Sequence, residues 1–311
     1  MTPRAGFTLV EVLVAVALTA ALVAAGLAAI GPLTDFWERS ADRLTIETEA
    51  RHVLDLLERD LSSVVWRRDG AVWLAVTVQP DQPLEGGHAG VAGETWAAAD
   101  PDRAKPGRAE GSLRLRPSLF ECRFGQAGVW LRFFASSGSI SGAPVGPVAI
   151  SYQMVRRRQG EDTPAAYQLF RAEVPPEVCF VVGYDLREDS PYDQGDAVPG
   201  SAGNIRRPPV ETLLADRVID LGIRLLAPDG EDQLAVLFPL EAAPDYHASG
   251  PVEFPVEADV FLRLITPQGA RLLAAYESGA EIGRAGEWWS IVERHSTVFT
   301  RRIALPRQVL P

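Results

Sequence analysis

Cysteine and histidine are scarce in this chain. Two cysteines, Cys122 and Cys179, and four histidines, His52, His88, His247 and His295, stand far apart, with no CxxC or Cys/His pair at ligand spacing. That leaves no zinc signature. Basic charge is also in deficit: 30 Lys and Arg against 41 Asp and Glu give a net charge of −11, which argues against a nucleic-acid partner. Enzyme constellations are missing as well. "GGHAGVAG" (Gly86 to Gly93) has the glycines of a phosphate loop but no Lys-Ser/Thr and no strand-to-helix setting. "SSGSISG" (Ser136 to Gly142) puts Ile140 where a nucleophile elbow needs serine. No enzyme activity and no cofactor are expected. Internal repeats and an interdomain linker are absent too.

One thing is present in excess. "AGFTLVEVLVAVALTAALVAAGLAAIG" (Ala5 to Gly31) is apolar from Phe7 to Ile30 except for Thr8, Thr19 and a single acid, Glu11. As a helix the run from Phe7 to Ile30 is about 36 Å long, enough to cross a bilayer with some tilt. It is too long for the apolar core of an ordinary secretory signal, and its basic start is only Arg4. A plain anchor explains the length but not Glu11. A carboxylate within hydrocarbon costs about 2.5 kcal/mol or more at a helix centre, so such residues are usually functional and paired.

"RAGFTLVEVLV" resembles the class III signal of type IV pilins and type II secretion pseudopilins, with glycine, aromatic and acid at fixed offsets before a long apolar run. The resemblance implies a leader over residues 1–6, cleavage by a prepilin peptidase after Gly6, and N-methylation of Phe7. It implies that Glu11, with Thr8 beside it, sets axial register when helices bundle, by meeting the new ammonium on Phe7 of a neighbour. Residues 7–30 are then a membrane and filament-core helix. The positive-inside tendency, carried here by Arg4 alone, puts the N-terminus in the cytoplasm and exports the body.

Gly31-Pro32 predicts a kink or brief interruption, and Asp35 with Glu38 a capping-box-like restart. From there to about Arg67 the spacing predicts an amphipathic helix, with Ile46, Ala50, Val53, Leu57, Leu61 and Val64 on one face. Glu47 with Arg51, and Asp55 with Arg59, are acid-before-base pairs four apart. The body, residues 69–311, supplies strands: Val72 to Val78, Val129 to Ala135, Val148 to Arg157 and Tyr167 to Val174, with "GEDTPA" (Gly160 to Ala165) as a hairpin loop between the last two. "RVIDLGIRLLA", "QLAVLFPL" and "EADVFLRLITPQGARLL" follow, the last with Pro267-Gln268-Gly269 as a turn signal. Ile150, Tyr152 and Met154 alternate with Ser151 and Gln153, as in a half-buried antiparallel strand. Nothing alternates with helices, so the expected class is α+β: a long N-terminal helix packed on an antiparallel sheet, the pilin-like arrangement. Residues 79–111 and 185–209 are expected to be long surface loops, partly mobile.

Three features stay open at this level. Cys122 and Cys179 either close a disulfide in an oxidising compartment or remain two buried thiols. Asp185, Glu188, Asp189, Asp193 and Asp196 are either a solvated acidic loop or, less in keeping with their spacing, oxygen donors for calcium, though no EF-hand pattern is present. Trp288, Trp289, Ile291 and Val292 in "GEWWSIVERHSTVFTRRIAL" either cover a sheet edge or form a partner patch.

Beyond the leader, "ARHVLDLLERDLSSVVWRRDG" (Ala50 to Gly70), with its Arg59-Asp60-Leu61 unit, resembles minor pseudopilin J of type II secretion (GspJ). "LLADRVIDLGIRLLAPDG" (Leu213 to Gly230) and "FPVEADVFLRLITPQG" (Phe254 to Gly269) resemble its late strands. That resemblance implies a place at the pseudopilus tip and a periplasmic body. Its implied partners are the minor I and K types, the major pseudopilin, the prepilin peptidase and the inner-membrane assembly platform. PilW-like minor pilins of type IV pili share the leader and a large β body and are the alternative.

Overall fold

The computed structural model describes residues 8–78, 97, 100, 102–106, 124, 126–136, 146–158, 163–187, 189–194, 198, 200–229, 234–240, 245–249, 254–280, 282 and 288–306, without the side chains of residues 29, 32, 35, 38 and 39. The chain divides into two compact units, residues 1–45 and 46–311.

The described part of the first unit is helix. Helix α1 (Leu9–Leu61) opens in it and its last turns belong to the second unit. The expected interruption at Gly31-Pro32 and restart at residues 35–38 do not occur, because α1 runs through both. Proline removes one N–H and leaves the neighbouring i→i−4 bonds in place. In this turn the Thr34 hydroxyl donates to the carbonyls of Ile30 and Gly31, at 3.1 and 2.8 Å.

In the second unit the predicted face of α1 is the buried one. Ile46, Ala50, Val53, Leu57 and Leu61 are all at most 1% exposed, joined by Leu54. The helix stops at Leu61 rather than near Arg67. Sheet pairing wins there: Ser63 Oγ takes the Asp60 carbonyl, Val64 bridges Ala135, and Val65 N donates to Phe134 O.

The strands and helices that follow are β1 (Leu74–Val78), β2 (Val129–Ser136), β3 (Pro147–Arg157), β4 (Ala166–Val174), α2 (Pro176–Val182), α3 (Pro191–Gln194), β5 (Leu213–Asp216), β6 (Val218–Pro228), β7 (Leu234–Phe238), β8 (Asp245–Ala248), β9 (Glu257–Ile265), α4 (Pro267–Glu277), α5 (Trp288–His295) and β10 (Ser296–Ala304). They form two antiparallel sheets, ordered β5-β4-β3-β2-β1-β8 and β10-β9-β6-β7. This is an α+β, pilin-like arrangement. One continuous apolar core joins the buried face of α1 to both sheets.

Three expectations for the body change. The 185–209 stretch is not a free surface loop in its described residues: Leu186, Tyr192, Asn204 and Ile205 are buried. Its Ile205 carbonyl accepts from Ser151 Oγ and Gln153 Nε2, at 3.1 and 3.0 Å. Those bonds explain why β3 is buried on both faces rather than half-buried. Pro267-Gln268-Gly269 does not turn a strand; it begins α4, because Thr266 Oγ1 accepts from Gly269 N and Pro267 takes the first helical position. The 79–111 stretch lies mostly outside the described residues. In the tail, Trp288, Trp289, Ile291 and Val292 are buried as one side of α5 rather than exposed as a patch, and the chain then pairs along all of β9 as β10.

Candidate functional site

The site is assembled from local chemistry at the start of α1. Thr8 stands just before the first helical residue. Its N–H and its Oγ1 both donate to Glu11 Oε2 at 2.9 Å, and Glu11 N–H donates back to Thr8 Oγ1 at 3.3 Å. This is a reciprocal capping box, Thr-x-x-Glu, satisfying N–H groups that a helix start otherwise leaves without partners. The box expected at residues 35–38 is found here instead, and Glu11, expected to set register, closes it; the three-residue spacing from Thr8 is its signal in the sequence. Both bonds end on Oε2, so among the described residues Glu11 Oε1 accepts nothing. Gly6 and Phe7, the expected cleavage pair, lie outside the described residues.

Beyond the cap, Leu9–Ala28 is long and apolar enough to cross a membrane, with a mean hydropathy of 2.4 and none of it buried. Its internal hydroxyl is satisfied, since Thr19 Oγ1 donates to Ala15 O at 2.8 Å. Glu11, Ala15 and Thr19 line one stripe, four residues apart, beside Val12, Val16, Ala20, Val23 and Leu27. Such a surface is stable only against lipid or other apolar helices.

The other candidates do not converge. Asp185 accepts from the N–H groups of Val72 and Arg187, while Asp193 pairs with Arg206 at 3.3 Å. Asp189 contributes its own N–H to Asp193, and residues 188 and 196 lie outside the described residues. Among the described residues no three metal-capable side chains gather. Cys179 is a buried free thiol whose Sγ lies 3.4 Å from Val174 O, and burial pushes its pKa up. Cys122 lies outside the described residues.

Sequence reasoning missed what Asp60 does. Its carboxylate is buried and accepts from Tyr152 Oη and Arg171 Nε, both at 2.6 Å, fastening the end of α1 to β3 and β4. Burial first, then the Asp60 charge, hold the Tyr152 hydroxyl far above its ordinary pKa, so it serves as a permanent donor. The acid at the centre of the Arg59-Asp60-Leu61 unit is thus a structural pin. A second pin is Glu277, which accepts from Arg156, Tyr167 and Trp288 and so ties α4 and α5 to β3 and β4.

A family model for the prokaryotic N-terminal methylation motif matches residues 1–27. Comparisons with curated proteins and with solved structures find no match. The motif implies processing by a prepilin peptidase and assembly with other pilins, and with the apolar helix it is consistent with an inner-membrane anchor. Pilin-like proteins are typically structural rather than enzymatic. A methylation motif on an exposed apolar helix, followed by an α+β body, makes this chain a type IV pilin-like protein.

Proposed function

We propose that this chain is a minor pseudopilin of the J type, built into the tip of a type II secretion pseudopilus to support protein export across the outer membrane. It is cut after Gly6, N-methylated on Phe7 and held in the inner membrane by α1 until assembly, with its body in the periplasm. The observation that carries the reading is the N-terminal site: a processing motif, a span exposed along its whole length, and one acid with an oxygen uncommitted among the described residues. In the assembled bundle, Glu11 Oε1 faces the ammonium on Phe7 of a neighbour. A charge buried there is tolerated because an opposite charge meets it.

The J assignment over the PilW-like alternative draws on the Ala50 to Gly70 resemblance. Its Arg-Asp-Leu unit falls at the end of α1, where Asp60 makes the fold depend on it. Partners on this reading are the I and K minor types, the major pseudopilin and the assembly platform. The deciding experiment is quantitative mass spectrometry of culture supernatants from a deletion strain, its complemented derivative and the parent. A defined set of folded exoproteins should vanish on deletion and return on complementation. An unchanged supernatant with altered surface filaments would move the chain to the type IV pilus.

A further inference from the structure

Among the described residues, tryptophan is interior in this protein with one exception. Trp66, Trp73, Trp130, Trp288 and Trp289 are between 1% and 8% exposed, whereas Trp37 is 66% exposed. Phe36 and Leu33 beside it are 62% and 56% exposed. Leu33 and Trp37 are four residues apart and continue the apolar stripe of Leu27 and Ile30 past the end of the span. The sequence changes character at this point. Up to Ile30 the helix carries Glu11 as its only charge, while Asp35, Glu38, Arg39, Asp42 and Arg43 follow in quick succession.

Distance selects the occupant of this patch. The helix begins at the Thr8–Glu11 box, and at 1.5 Å per residue Trp37 lies about 44 Å further along the axis. A bilayer including its headgroup layers is about 40–45 Å thick. When the capped end sits in one headgroup layer, Trp37 reaches the other. Indole is amphipathic, and tryptophan concentrates at such boundaries because its ring is apolar and its N–H is wet. In the sequence, charged residues begin at Asp35, two positions before Trp37.

We propose that Trp37, flanked by Phe36 and Leu33, seats in the headgroup layer on the far side of the membrane and fixes the depth of the helix before assembly. This rests on the reading of α1 as a membrane span. A span with anchors at both ends presents Glu11 at a set height to the incoming neighbour.

The test uses the full chain reconstituted in phosphatidylethanolamine/phosphatidylglycerol liposomes containing lipids spin-labelled at a series of depths. Tryptophan emission is compared with that of Trp37→Phe, a substitution on an exposed surface. Membrane integration of both proteins is checked by flotation after alkaline extraction. The emission lost in Trp37→Phe should be the component quenched at least about twofold more by headgroup-proximal labels than by labels at the chain ends, the signature of an interfacial ring. If both proteins are integral and that component is untouched by lipid labels, or is quenched best by the deepest ones, the anchor is wrong while the span stands. A component shielded from lipid and aqueous quenchers alike would place it against a second helix, which also overturns the proposal. If neither protein floats with the membrane, the span reading fails and takes the anchor with it.

Discussion

Glu11 closes the capping box, and on the proposed function it is also the register charge; substitutions can separate the two. As a capping-box acid it needs only an acceptor oxygen for Thr8, which glutamine also offers; as a register charge it needs the carboxylate. Glu11→Ala and Glu11→Gln should both be cleaved and methylated normally, by mass spectrometry of the mature N-terminus. Both should fall at least about tenfold in recovery with sheared filaments, because an unmatched ammonium in a bundle core costs about 3–5 kcal/mol. Wild-type recovery of Glu11→Gln would mean that the cap, not the charge, is what assembly requires. Lys105 offers a second case. It is the only lysine in the chain and is 1% exposed, with Nζ 2.8 Å from Ile219 O and 3.4 Å from Asp220 Oδ1. Burial raises the Asp220 pKa and Lys105 opposes that rise. An acid raised in the folded state binds its proton more tightly there than when unfolded, so its contribution to stability declines as pH climbs above the unfolded value of 3.8. Removing Lys105 raises the folded pKa further and widens that window. Lys105→Met should therefore cost about 3 kcal/mol at pH 8 and clearly less at pH 5, read by chemical denaturation at the two values. An equal loss at both would mean that packing, not charge, is what the lysine supplies.

At the scale of elements, β6 shows how a backbone position is chosen by what lies over it. Gly222 pairs with Phe261 of β9, and the Phe124 ring lies directly on the glycine. A Cβ there would fall 2.1 Å from a Phe124 ring carbon. Phe124 has no room to retreat: it is fully buried, packs on Phe261 at a centroid distance of 5.9 Å, and its N–H donates to Asp220. Gly222→Ala should destabilise the body by about 1–3 kcal/mol, as overpacked cores do. The midpoint of urea unfolding measures this, and an unchanged midpoint would show that Phe124 can move aside. The helices that expectation missed have similar local causes. Thr266 and Pro267 are an N-cap and a first-turn proline, a signal that the turn-like Pro-Gln-Gly obscured.

For the whole molecule, the second unit has its own core and begins at Ile46. Removing residues 1–40 should leave a protein that unfolds cooperatively, with a Tm within about 4 °C of the full chain, the shift expected for about 1 kcal/mol or less. Removal through Leu61 is different. It strips Ile46, Ala50, Val53, Leu54, Leu57 and Leu61 from the core and Asp60 from Tyr152 and Arg171. At about 1.5–3 kcal/mol for each large side chain the loss matches or exceeds the 5–15 kcal/mol that a domain has in total. Circular dichroism melts of the two truncations check this. A cooperative melt from the shorter protein would show that the sheets hold without the helix.

The sequence alone determined whatever depends on neighbours along the chain. The methylation motif, the apolar run, the 3.6-residue face from Ile46 to Leu61 and the main strands were all legible, because each is a local period or a fixed spacing. The α+β class followed from them. Tertiary structure decided what depends on who meets whom. Asp55, matched by spacing to Arg59, instead pairs with Arg301 of β10, and Arg59 lies 3.6 Å from Asp60. Ser151 and Gln153, matched by alternation to solvent, are covered by residues some fifty positions away. Asp60 is a surface acid by composition and a buried pin by contact. In each case a partner remote in sequence supplied a hydrogen bond or charge worth more than the local preference, and no periodicity along the chain records where that partner lies.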